Sequence, residues 1–132
     1  MTLMKKTKLP KPTDAELSIL RVLWDCGPST VRKIWEQINP EHPTGYTTIL
    51  KLMQIMLEKG LLGRDETERS HVYYASLTKE QTQRQVVGHV LERAFGGSAP
   101  KLVMQALAGR KATREELAEI RRLLDEMEGG AQ

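Results

Sequence analysis

The chain has 132 residues, 39% of them hydrophobic and 28% charged, with a formal net charge of +3 at pH 7. That length holds one domain or two small ones, and no run approaches the roughly 18 apolar residues of a membrane span, which excludes membrane insertion. A single cysteine excludes an internal disulfide framework, and with three scattered histidines it offers no metal-ligand spacing, so no metal or other cofactor is expected.

The start, MTLMKKTKLPKP, is basic without an apolar stretch behind it, so residues 1–12 read as an arm rather than a signal peptide. The lone thiol fits a reducing, cytoplasmic setting. Thr13-Asp-Ala-Glu16 forms a capping box, where the hydroxyl and the carboxylate each satisfy one free N–H of a helix start. Leu17, Leu20 and Trp24 then recur at helical spacing until Cys26-Gly27-Pro28 stops the helix, with Cys26 expected as a small apolar filler beneath its end. A second helix follows Ser29 and Thr30, carrying Val31, Ile34, Trp35 and Ile38 on one face, and Asn39-Pro40 ends it. Both tryptophans read as core. A third helix ends at Lys59-Gly60, a cation at the negative helix end followed by a glycine.

The period then changes. Residues 61–65 and 71–77 read as two short strands joined by a polar turn. Three helices followed by a hairpin make a winged helix-turn-helix domain over residues 13–77. From residue 78 to 128 the chain is helical again, opening with Thr78 and Gln81, restarting at Ser98 and Pro100, and restarting once more at Thr113 and Glu116. This stretch is too short to bury a core alone. Its apolar residues Val86, Val87, Val90, Leu91, Phe95, Leu102, Val103, Leu117, Ile120 and Leu124 are therefore expected to form a homodimer interface, with 129–132 as a tail. The fold class is mainly α with a small β-hairpin.

The third helix carries the chemistry. At about 100° per residue, Leu52, Met53, Met56 and Leu57 cluster around Ile49, while Thr47, Lys51, Gln54 and Glu58 face the other way. Its opening residues Gly45, Tyr46, Thr47 and Thr48 are indifferent or poor helix formers, so they are read as chosen for what they face. Free N–H groups, two hydroxyls, a lysine and an amide suit a DNA major groove, where phosphates and base edges must be met together. A solvated surface is the commoner explanation of such a face on an isolated helix. Here Ser29, Thr30 and Arg32 start the preceding helix, and Arg64, Arg69 and His71 lie in the wing, which weighs toward DNA. Asp65, Glu66 and Glu68 leave the wing tip mixed in charge. The acids of the last helix alternate with arginines in i,i+4 fashion, and no nucleophile–base pair or phosphate loop occurs, so the chain is read as no enzyme.

Four motifs, TDAELSILRVLW (13–24), GYTTI with LEKGLL (45–62), VYY (72–74) and FGGS (95–98), resemble the penicillinase and methicillin-resistance repressors over most of the chain. The resemblance implies a dimeric bacterial repressor of dyad-symmetric operator DNA, with Tyr46, Thr47, Thr48 and Lys51 at the operator-reading positions. It also implies release through cleavage of the dimerisation domain at an Asn-Phe bond, after a signal from a membrane-bound sensor metallopeptidase of the same operon. Alignment on FGGS puts that bond at Gln105-Ala106, so the Asn-Phe pair is replaced here. A copper-responsive branch of the superfamily carries paired C-terminal cysteines, and this chain has none after Cys26. Two other readings stand beside this one: a winged-helix protein-docking module, and a small-molecule-responsive regulator with its pocket between the dimerisation helices.

Overall fold

The computed structural model describes residues 11–67 and 69–130, so most of the basic arm, Glu68 and the last two residues lie outside what is described. Helix α1 runs Asp14–Cys26. Its capping box is formed, with Glu16 N donating to Thr13 Oγ1 at 3.2 Å and Thr13 N donating to Glu16 Oε1 at 2.9 Å. Ile19, Leu20 and Leu23 point into the core, and Gly27 turns the chain at φ 83°. Cys26 departs from the expected filler role. It is exposed, because it lies one turn beyond Leu23, past the last buried residue of the helix.

Helix α2 is Val31–Ile38, capped by Thr30, whose hydroxyl accepts from Lys33 N at 3.2 Å. Helix α3 is Tyr46–Lys59 and ends at Gly60, which takes the left-handed φ of 86° that favours glycine. Strands β1 (Leu62–Asp65) and β2 (Val72–Ala75) pair antiparallel, with Leu62 opposite Ala75 and Arg64 opposite Tyr73. Both are shorter than the sequence reading. Beyond Ala75 one more hairpin bond follows, from Ser76 N to Leu61 O, and Leu77 O then accepts the Trp24 indole N–H at 3.2 Å. Ser29 extends the sheet by an isolated bridge to Tyr73. Ile19, Leu20, Leu23, Ile34, Ile49, Met53, Met56, Leu61, Leu62 and Tyr73 form one core.

One ion pair ties the ends of this unit together. Glu16 is buried at 2% exposure and accepts from Lys59 Nζ at 2.8 and 3.1 Å, so the first turn of α1 is joined to the last turn of α3.

Helices α4 (Lys79–Phe95), α5 (Ala99–Gly109) and α6 (Arg114–Gly130) follow. Their caps are the expected ones: Thr78 with Gln81, Ser98 with Lys101 N, and Thr113 with Glu116. The described residues form two compact units, one up to Val87 and one from Gly88 onward, and this division falls inside α4. The first turns of α4 belong with the winged helix because Thr82 is buried there. Among the described residues of the second unit none is buried, and Val90, Val103, Met104, Leu123, Leu124 and Met127 are exposed. Among the described residues, no helix is long and apolar enough to cross a membrane.

Candidate nucleic-acid interface

Helix α3 is two-sided. Ile49, Met53 and Met56 are buried at 0–3% exposure, while Thr47, Thr48, Lys51, Gln54 and Glu58 are exposed and Tyr46 is 41% exposed. Leu52 and Leu57 flank the buried row. The helix therefore docks through the Ile49–Met53–Met56 row and presents its opposite side outward, from Thr47 to Glu58.

Its N-terminus has no side-chain cap, because residue 45 is glycine. The backbone does not require that glycine: φ is −78°, and a Cβ there would meet Thr48 Oγ1 at an ordinary 3.7 Å. What locates the helix start instead is Thr44. Its carbonyl accepts the Trp35 indole N–H at 2.8 Å and its amide donates to Asn39 Oδ1 at 3.0 Å. The Trp35 ring also meets Tyr46 edge-on, with centroids 6.3 Å apart and planes at 73°.

The neighbouring groups divide. Ser29 is 3% exposed, its hydroxyl donates to Gly27 O at 2.8 Å, and its backbone bridges to Tyr73, so its side chain is structural and does not face outward. Thr30 spends its hydroxyl on the α2 cap. Arg32 is exposed and lies 3.7 Å from Glu36, a contact worth little in water. Lys33 beside it is exposed.

In the wing, Arg64 is partly exposed and engaged on the surface of the hairpin. Its Nε donates to Glu66 at 2.7 Å and its guanidinium lies 5.9 Å from the centroid of the Tyr73 ring. Asp65 accepts from Thr67 N at 3.0 Å, and that backbone hydrogen bond holds its carboxyl below the ordinary carboxylate range. Arg69 and His71 are exposed. Tyr74, which the sequence reading did not single out, is 46% exposed and lies across Gly63, where any Cβ would strike its ring. The alternation Tyr73-in, Tyr74-out was the signal available for it.

The remaining expected positions lie elsewhere. Gln105 and Ala106 are exposed in the middle of α5. Val86 is half-buried in the first unit, where it lines an open cavity of about 600 Å³ with Leu17, Trp24 and Thr82. Leu91, Phe95, Leu102, Leu117 and Ile120 are half-buried, while Val87, Val90, Val103 and Leu124 are exposed.

A family described as penicillinase repressor matches residues 12–126. The chain is similar to the penicillinase repressor of Bacillus licheniformis, at 24% identity over 120 residues that cover 90% of this chain and 93% of that one. It is similar also to the transcriptional regulator BlaI of Mycobacterium tuberculosis, at 25% identity over 124 residues covering 93% and 89% of the two chains. The solution structure of Bacillus licheniformis BlaI, a monomeric form in complex with the blaP half-operator, shares the fold at a TM-score of 0.50 and 22% identity. It covers 55% of this chain and 89% of that one.

Proposed function

The chain belongs to the penicillinase repressor family, and we propose that it is a DNA-binding transcriptional repressor which holds a two-fold-symmetric operator as a homodimer. It is not an enzyme. The observation that carries the reading is the division of α3 into a buried row and an exposed, uncapped, hydroxyl-rich opening.

In this reading α3 lies in the major groove. Thr47, Thr48 and Gln54 meet base edges, and Tyr46 lies along the sugar-phosphate backbone. Lys51, with Arg32 and Arg69, neutralises phosphates, and Thr30 and His71 flank them. Arg64, engaged with Glu66 and Tyr73, shapes the wing that carries Arg69. The relative bound to a half-operator supports an operator made of two halves. Two copies would place their recognition helices one helical turn apart, roughly 34–36 Å. The exposed apolar residues of the second unit support pairing through that unit. Derepression through a membrane-bound sensor metallopeptidase completes the proposal, with the exposed Gln105-Ala106 segment of α5 as the position of cleavage.

The test is a mobility-shift titration of the full chain against duplexes that it selects from a randomised pool, beside scrambled duplexes of the same length. Lys51→Ala is expected to weaken binding to every duplex and to lower the salt slope by about one. Thr47→Ala is expected to change the order of preference instead. Sequence-blind binding by the wild type would overturn the repressor reading in favour of a docking module.

A further inference from the structure

The recognition helix lacks the usual device that fixes a helix start. Residue 45 offers no side chain, so only its backbone carbonyl, accepting from Thr48 N and Ile49 N, serves the first turn of α3 at the N-cap position. The loop itself gives little help, since residues 40–43 are exposed and add nothing to the core. Two side chains of α2 and its C-cap supply what is missing. The Trp35 indole N–H takes the carbonyl of Thr44 at 2.8 Å, and Asn39 Oδ1 takes its amide at 3.0 Å. One peptide residue is thus held from both sides, immediately before Gly45 and Tyr46. The Trp35 ring then meets Tyr46 edge-on.

We propose that Trp35 and Asn39 are positioning residues for operator discrimination, clamping Thr44 so that Tyr46 and Thr47 are presented at one fixed angle. This rests on the reading of α3 as the recognition helix. Base-edge hydrogen bonds tolerate errors of roughly half an ångström, whereas attraction to phosphates is less demanding of geometry. Loosening the clamp therefore lowers the preference for the right sequence and leaves the sequence-independent part of binding in place. A residue that merely stabilised the fold would weaken all duplexes together.

The experiment uses the full chain, a duplex selected by the wild type from a randomised pool, and a scrambled duplex of equal length, titrated over a range of salt. Trp35→Phe keeps an aromatic ring, though a smaller one, and removes the N–H. Asn39→Leu removes the acceptor, and Asn39→Asp restores it. The expected result is a preference reduced about tenfold for Trp35→Phe and Asn39→Leu, the scale of one base contact. Affinity for the scrambled duplex and the salt slope stay as in the wild type, and Asn39→Asp keeps the wild-type preference. Equal loss on both duplexes, or an unchanged preference in Trp35→Phe, would overturn the positioning role. Should Asn39→Leu fail to fold, Trp35→Phe and Asn39→Asp still decide the matter. A wild-type chain without any preference would overturn the recognition-helix reading itself, and the positioning role with it.

Discussion

Glu16 shows how much one carboxylate can hold. Its Oε1 closes the α1 capping box, and both oxygens accept from Lys59. Burial alone would raise its pKa, but the Lys59 ammonium and the Thr13 N–H outweigh burial and hold it below its ordinary 4.5. A depressed carboxylate stabilises the fold fully above its unfolded-state value and loses that contribution as pH falls through the folded-state value. The thermal midpoint is therefore expected to hold steady from neutral pH down to about 5 and to fall below that, with Glu16→Gln flattening the acid limb. Lys59→Met would leave a buried carboxylate with a single donor. Because Lys59 is 31% exposed at its side chain, a loss of about 1–3 kcal/mol is expected in denaturant titration, below the range for fully buried pairs. The capping box was legible in TDAE, and Lys59 was legible as a cation at a helix end. Their meeting was not, since it joins positions 43 residues apart through tertiary folding.

At the scale of elements, the hairpin and the α2–α3 corner behave differently. In the hairpin Tyr74 covers Gly63, so Gly63→Ala must push the ring away. Because the ring is 46% exposed and can swing aside, a cost of at most about 1 kcal/mol is expected, and Tyr74→Ala should relieve it in a double-mutant cycle measured by chemical denaturation. Additive losses would show that the ring and the glycine are independent. Local sequence carried most of the elements: every cap among α1, α2, α5 and α6 sits at its expected Ser or Thr. The strands came out shorter because a period-2 pattern marks which residues alternate and not which of them find a backbone partner. The corner was the hardest to read. Apolar periodicity placed Trp35 in the core, but its N–H goes to a loop carbonyl nine residues on, a bond that no spacing rule announces. For the same reason Ser29, a polar residue in a suggestive pattern, turned out to be buried with its hydroxyl on Gly27 O.

At the scale of the whole molecule, the winged-helix unit has a core and the second unit has no buried residue among those described. Three amphipathic helices with that exposure need another surface to cover Val103, Leu124 and Met127. A dimer is expected in sedimentation at micromolar concentration. Leu124→Asp is expected to shift it to monomer and to reduce operator affinity by at least tenfold, through the loss of two-site avidity, while the monomer still selects the same half-site. A stable monomer in the wild type would remove the dimer from the proposal. The apolar stripes that argue for pairing were plain in the sequence, but the division between units was not. No glycine–proline break marks residue 87, and tertiary packing, with Thr82 buried and Val86 beside Leu17 and Trp24, assigns the start of α4 to the first unit.

The edge contact between Trp35 and Tyr46 gives the protein an optical property. Of its two tryptophans, Trp24 is bonded to Leu77 O, whereas Trp35 meets Tyr46 on the helix that would carry DNA. In a Trp24→Phe background, the emission of the remaining indole is expected to change when DNA occupies that turn, so that binding can be followed in solution without attaching a dye.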